Sequence, residues 1–346
     1  MTEYVWTFLI AAGIAIILTP AVIKLAKKTG AMDKPDKRKV HKKPIPRIGG
    51  LGIYIAVMIS VIATVFASMP YVEMRHEIIG LIFSASLIVL LGLVDDYKNL
   101  SAMTKFLGQI VAATILAVGF DVRIDFITDP FGDYFYLEWW AAVPATIFWL
   151  VGLTNTVNLI DGLDGLAAGI SAIASITIFL VALQNNFFLV AGLTAALAGA
   201  ATGFLFFNFH PAKIFMGDTG SMFFGFMLAG ISVMGSMKST ATITLVVPIL
   251  ALGVPILDTT FAIIRRLLGG QPIFKPDKGH LHHRLLNMGF TQRQAVFLIY
   301  VISAVLGLSA IALTEVSSQI AILILIIVVI AIFYGAKKLG VLRMAN

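Results

Sequence analysis

Carboxylates, amides, imidazoles and cations collect in five short stretches of this chain, each lying between long apolar runs. The first is LGLVDDYKNLSAMTK, which carries Asp95 and Asp96. Adjacent carboxylates repel each other, and at a helix C-terminus the macrodipole disfavours them further. They therefore ask for a cation nearby, whether a metal, Lys98 or Lys105, unless the pair is a solvated turn. The second stretch, NTVNLIDGLDGL, spaces Asn158, Asp161 and Asp164 by three residues. A helical turn would set all three roughly on one face, an oxygen array that suits Mg²⁺ with substrate phosphates and water. Asp164 could equally cap the following helix.

The third stretch, NFHPAKIFMGDTGS, holds His210, Phe215 and Asp218. Asp218 stands just before an apolar run, either as an N-cap with Ser221 three residues on, or as a carboxylate beside amide groups that hold a phosphate and its metal. The fourth, KGHLHHRL, crowds His280, His282, His283 and Arg284 together after Lys278. Neutral imidazoles there would suit zinc; protonated ones beside Arg284 would cradle phosphate. The bland reading is a solvated basic loop. The fifth, KVHKKPIPRIGG, contains Lys43 and Arg47, and its prolines stiffen the chain near the membrane surface. Asp258 is isolated inside an apolar run. It is a functional candidate by default, although Thr259, Thr260 and Arg265 offer it a structural role.

The elements that must position these groups are membrane helices. Hydrophobic residues make up 59% of the 346 and charged residues only 12%, half the share of a soluble domain. Runs long enough to cross a bilayer are read near 5–25, 51–69, 78–94, 104–120, 141–157, 166–183, 187–207, 221–237, 241–264, 295–313 and 320–334. The expected fold class is therefore an all-α polytopic membrane protein of about eleven transmembrane helices, one domain over 1–346, because backbone groups in lipid must be satisfied within helices. With the N-terminus outside and the C-terminus cytoplasmic, only Arg75, Arg123 and Lys238 of the 25 Lys and Arg lie outside. That asymmetry is the positive-inside signal, so the net charge of +7 reports topology and gives no case for nucleic acid. Glu3 before the first run and lysines after it argue against a cleavable signal. The absence of cysteine excludes thiolate metal sites, catalytic thiols and disulfides. Asp121–Glu138 with Trp139 and Trp140 reads as an interfacial belt on the outer side.

On this topology the acid and histidine clusters follow spans three, five, seven and nine, in loops 95–105, 156–166, 208–221 and 265–293, and the basic loop 27–50 follows span one, all on the cytoplasmic side. Such a set suits Mg²⁺-dependent phosphate chemistry on a lipid substrate, since a metal and a basic cradle neutralise two approaching polyanions. An ion-coupled transporter would gather its polar groups near the bilayer midplane, where only Asp258 is a candidate. A zinc hydrolase would want its histidines on a helix, and HLHH is read as a loop.

NLIDGLDGL, FMGDTGS, the Asp pair and HLHH, in this order, resemble the polyprenyl-phosphate N-acetylhexosamine-1-phosphate transferases, over about 5–335. HLHHRL and KVHKKPIPRIGG resemble the branch that includes the enzymes starting wall teichoic acid linkage units, rather than the MurNAc-pentapeptide branch. The resemblance implies transfer of GlcNAc-1-phosphate from UDP-GlcNAc to undecaprenyl phosphate in a bacterial plasma membrane, with Mg²⁺, or Mn²⁺ in its place. It implies Asp218 as the main metal ligand and Asn158 as a second. It places Asp161 and Asp164 on the nucleotide, Phe215 on uracil, and His280, His282, His283 and Arg284 on the diphosphate and sugar. Asp95 and Asp96 would be the acidic pair near the lipid phosphate, with Lys105 their cationic partner; Lys43 and Arg47 are weaker transfers. Relatives suggest a homodimer, for which no sequence feature here speaks.

Overall fold

The computed structural model describes residues 1–35, 43–66, 75–128, 134–238, 245–272 and 279–338. Thirteen α-helices carry the described chain: α1 (Thr2–Thr29), α2 (Gly49–Ser60), α3 (Arg75–Lys98), α4 (Ala102–Thr114), α5 (Trp139–Ile160), α6 (Leu166–Gln184), α7 (Phe188–Asn208), α8 (Gly217–Lys238), α9 (Val246–Ala251), α10 (Gly253–Leu268), α11 (Leu281–Asn287), α12 (Gln292–Leu313) and α13 (Ser318–Lys338). π-helical turns extend α2 over Val61–Phe66 and α4 over Ile115–Gly119. Two short antiparallel hairpins complete it. β1 (Met32–Asp33) pairs with β2 (Ile45–Pro46), and β3 (Phe126–Thr128) pairs with β4 (Tyr134–Tyr136). The second hairpin falls inside the segment read as an interfacial belt, next to exposed Trp139 and Trp140.

Eight helices among the described residues are long and apolar enough to cross a membrane. The second and eleventh expected spans fall on shorter apolar stretches, Gly49–Thr64 and Gln319–Ile332. The ninth differs. Its first residues lie outside the described chain, and the rest breaks at Leu252 into α9 and α10. Pro255 sits in the first turn of α10, where its missing N–H costs nothing.

Helix α8 is the axis of the bundle, with 94% of its apolar window enclosed against 22% for α1. It packs on α2, α3 and α5 and also meets α6 and α7, with α12 packed in turn on α6 and α9. Small residues permit the tightest crossings. Gly199 and Gly203 of α7 lie on the backbone of α1, where added Cβ atoms would stand 2.2 Å from Phe8 O and 2.4 Å from Ala12 O. This Gly-x-x-x-Gly spacing lets helix backbones approach in lipid, where packing rather than a hydrophobic drive holds them. Gly50 likewise meets Gly220, its added Cβ falling 2.1 Å from the Gly220 nitrogen. That contact presses the start of α2 against the first turn of α8. Bulky apolar side chains such as Ile17, Phe83, Phe148, Phe206 and Phe297 face outward, as lipid contact requires.

Candidate active site

The helix ends that carry the polar stretches converge around the N-terminus of α8. The first four N–H groups of a helix have no partner within it, and here a residue from α3 supplies one. Asp96 Oδ1 accepts from Asp218 N (3.0 Å), and Oδ2 accepts from Thr219 N (3.1 Å) and Thr219 Oγ1 (2.6 Å). Arg47 Nε completes the set, donating to Oδ1 at 3.2 Å. Asp96 is 3% exposed, so both of its oxygens are committed to protein. Gly217, at φ +70, leaves no room for a Cβ between Arg47 O and this carboxylate. Asp218 itself lies inside the first turn of α8. The cap expected of Asp218 is therefore made by Asp96.

Its neighbour Asp95 turns to the other side of α3. Asp95 Oδ1 accepts from Leu100 N at 2.6 Å, and Oδ2 meets Lys105 Nζ at 3.3 Å. The same ammonium lies 2.6 Å from Asp218 Oδ2. Lys105, on α4, thus bridges carboxylates from α3 and α8, and its side chain keeps 23% exposure. The cation that the Asp pair asks for is Lys105 for Asp95 and Arg47 for Asp96. Asn158, in the last turn of α5, lies beside Asp218 and donates to Ser221 Oγ at 2.9 Å.

The third-residue spacing of Asn158, Asp161 and Asp164 does not produce one face. Helix α5 stops at Ile160, and Asp161 has left helical geometry at ψ 56°. Asp161 is half-buried, and no hydrogen bond reaches its carboxylate among the described residues. Burial, then the negative charges of Asp218, Asp96 and Asp164, push it up to about 8. Asp164 points away. Its Oδ2 meets His210 Nδ1 (2.7 Å) and accepts from Ala212 N (3.0 Å), so it ties down the loop before α8 and does not cap α6, whose N-cap is Gly165. Arg293 of α12 holds the same loop through His210 O (3.0 Å). Phe215 is half-buried, with its amide donating to Pro46 O (2.7 Å) and its carbonyl accepting from Gly49 N (3.0 Å). Arg47 also donates to Asn99 Oδ1 at 2.9 Å, which makes it a link between loops. Lys43 lies exposed beside β2.

The histidine stretch is a helix and not a loop: His280 is the N-cap of α11, and His282, His283 and Arg284 are in it. Asp258 of α10 receives both His280 Nδ1 (2.9 Å) and Leu281 N (2.7 Å). The isolated intramembrane carboxylate therefore belongs to the same polar face as the rest. His282 is 3% exposed, its Nε2 pressed against Gly162 beside Asp161. Burial, then His283, pushes His282 down to about 3. It is neutral at pH 7, which removes it from a protonated phosphate cradle. Arg284 Nε donates to Gly279 O at 2.9 Å. Lys278, like Lys39, His41 and Lys42, lies outside the described residues. Among those described, no three His, Asp or Glu side chains converge as a metal cage.

One pair escaped the sequence reading. Gln109, 1% exposed and one turn from Lys105, exchanges hydrogen bonds with Asn155, accepting at 2.5 Å and donating at 3.4 Å. A buried amide within an apolar span is the signal that marks it.

A helical, multi-pass membrane protein with a cluster of buried ionisable groups around the start of α8 is what this geometry defines. Residues 78–236 match the glycosyl transferase family 4 model. The chain is 44% identical over 343 residues to a probable undecaprenyl-phosphate N-acetylglucosaminyl 1-phosphate transferase of Bacillus subtilis, covering 99% of this chain and 94% of that one. A decaprenyl-phosphate N-acetylglucosaminephosphotransferase of Mycolicibacterium smegmatis is 38% identical over 327 residues, 87% of this chain and 80% of the relative. A phospho-N-acetylmuramoyl-pentapeptide-transferase of Heliobacterium modesticaldum is 33% identical over 333 residues, 89% and 97% respectively. The chain belongs to glycosyl transferase family 4.

Proposed function

We propose that this protein transfers GlcNAc-1-phosphate from UDP-GlcNAc to undecaprenyl phosphate, giving undecaprenyl-diphospho-GlcNAc and UMP, as the first membrane step of a cell-wall polymer such as the wall teichoic acid linkage unit. The observation that carries it is the Lys105 ammonium held between Asp95 and Asp218 at the end of the bundle. Similarity to N-acetylglucosamine-phosphate transferases along nearly the whole chain supports the choice of sugar. The setting is a bacterial plasma membrane crossed about eleven times, with the N-terminus outside and this site on the cytoplasmic face, as the distribution of Lys and Arg favours.

A divalent cation fits the residues present. Among the described residues Asp161 is a half-buried carboxylate without a hydrogen-bond partner, within reach of the charges of three further aspartates, and Mg²⁺ needs only one or two protein carboxylates beside substrate phosphates and water. Asp218, with Asn158 next to it, would hold the ion, and Asp161 stands close enough to Asp218 to feel its charge. When bound, Mg²⁺ supplies charge neutralisation to the diphosphate.

The chain's own part is placement and charge. The second phosphate pKa is about 6, so the lipid phosphate arrives largely as a dianion and needs no strong base. Lys105, partly exposed, exchanges a carboxylate for that phosphate and holds it. Asp95 orients the nucleophile and takes any residual proton. A lipid phosphate oxygen bonds to the β-phosphorus as the bond from that phosphorus to the bridging oxygen breaks, and UMP leaves with the electron pair. His280, His283 and Arg284 would hold the diphosphate and sugar, and Asp161, Asp164 and Phe215 would bind the nucleotide.

UMP release with undecaprenyl phosphate tests the proposal. Turnover of UDP-GlcNAc is expected; turnover of UDP-MurNAc-pentapeptide alone would replace the sugar assignment with that of the pentapeptide relatives. A phospho-aspartate trapped with UDP-GlcNAc in the absence of lipid would overturn direct attack. Activity restored after chelation by zinc and not by magnesium would overturn the metal.

A further inference from the structure

We infer that Asp258 is a positioning residue for the donor side of the site: it fixes the ring of His280 and the start of α11 from within helix α10. This inference rests on the transferase reading above, and its test separates the two.

An ionised carboxylate among apolar side chains is costly unless it is paired and hydrogen-bonded. Asp258 is 5% exposed and His280 6%, so neither has water to satisfy it. Among the described residues each oxygen of Asp258 has one donor, and both donors come from the start of α11. Oδ1 takes the Leu281 amide, one of the N–H groups a helix start leaves without a partner, and His280 makes no side-chain cap of its own. Oδ2 meets His280 Nδ1.

An ionised carboxylate only accepts hydrogen bonds. Nδ1 must then carry a proton, and Nε2 is the atom His280 has left for a ligand. The partner of one ring nitrogen sets the chemistry of the other. The His280 and His282 rings lie nearly parallel, 9° apart with centroids at 5.8 Å. His282 abuts Gly162, next to Asp161. Asp258 therefore holds His280 in one tautomer and, through α11, holds His282 against the Asp161–Gly162 turn.

Asp258→Asn isolates the effect, because its carbonyl oxygen still accepts from Leu281 N while its NH₂ now faces Nδ1. The helix cap survives and the tautomer inverts. Nitrogen NMR of the full-length protein in nanodiscs should find His280 Nδ1 protonated in the wild type and bare in Asp258→Asn. Kinetically, KM for UDP-GlcNAc should rise about 10-fold or more, the scale on which loss of a ligand-orienting partner acts, with KM for undecaprenyl phosphate unchanged. His280→Ala should cost little more in the Asp258→Asn background than Asp258→Asn costs alone.

A wild-type His280 with bare Nδ1 would overturn the inference without any variant. So would fully additive effects of the two substitutions, or equal losses for both substrates. If the wild type turns over no UDP-sugar, the transferase reading falls, while the NMR measurement still judges the Asp258–His280 assignment.

Discussion

Asp95 and Asp96 are adjacent in sequence and equally buried, yet they belong to different regions of the molecule. Asp96, with Asp164 and Asp258, forms a perimeter of clamps in which aspartates are engaged by backbone amides together with an Arg or a His. Asp95, Asp161 and Asp218 form a central node in which Asp95 and Asp218 share one ammonium, that of Lys105, and Asp161 beside Asp218 has no cation among the described residues. The clamps are complete without a ligand. The node is short of positive charge, and a short supply of counter-charge is what a cationic or phosphate-bearing visitor corrects. The same side chain is structural where donors already surround it and available for chemistry where they do not.

The largest effects should fall on the node. Asp218→Asn and Lys105→Met should each lower kcat by about 10³-fold or more, the scale on which transition-state charge stabilisation acts in phosphoryl transfer. Thermal unfolding should change far less. A UMP-release assay beside a melting curve reads both quantities. Near-normal turnover in either variant would make the node another clamp and break the comparison.

The clamps should show the reverse pattern. Asp96→Ala removes the cap that Asp96 supplies to α8 and leaves Arg47 facing a gap. Breaking a buried pair costs about 3–5 kcal/mol. The Arg47 side chain is 18% exposed, so water recovers part of that and about 2–3 kcal/mol is expected, read as a fall in melting temperature. Asp95→Asn should leave the melting temperature nearly unchanged while turnover collapses. Should Asp96→Ala unfold at the wild-type temperature, Asp96 would move from the perimeter to the node.

Asp161 gives the node a pH signature. Its folded value, raised from 3.8 to about 8, means that the folded protein keeps a proton the unfolded chain has released. Stability from this group is intact below about pH 4 and lost progressively as pH rises through 8. A divalent cation requires the ionised carboxylate and displaces the proton. Added Mg²⁺ should therefore raise the melting temperature more above pH 8 than near pH 6, and Asp161→Asn should flatten that difference. A Mg²⁺ increment that does not vary with pH would remove Asp161 from the cation's surroundings.

Much of this arrangement is legible in the sequence because it is local. Apolar runs of span length locate α1, α3 to α8 and α12, and the polar stretches fall at helix ends because those runs stop there. What the sequence hides is which partner each carboxylate takes. Asp96 bonds amides 122 and 123 residues away, and Asp258 a histidine 22 residues away across a turn of chain; no spacing rule reaches that far. Spacing also misleads at Asp164, since the three-residue period means one face only while the helix continues, and α5 ends at Ile160. HLHHRLLN reads as a loop because seven residues are too few to nucleate a helix alone; Asp258 supplies the cap that makes α11 possible.

The smallest effect concerns how the node is held in register from the membrane side. Gln109 stands one turn from Lys105, Asn155 nearly one turn from Asn158, and Gln109 Nε2 also meets Met222 Sδ of α8 at 3.2 Å. The amide pair therefore joins α4, α5 and α8 directly above the three side chains of the node. Interhelical hydrogen bonds in membrane proteins average only about 0.6 kcal/mol and reach about 1.7. A double-mutant cycle of Gln109→Leu and Asn155→Leu should return a coupling energy in that range by unfolding. The same cycle in kcat should show coupling at least as large, because a change in register that stability barely registers still moves Lys105 relative to Asp218. Coupling in stability with none in kcat would place the pair among the clamps, and the node would then owe its geometry to the ends of the helices alone.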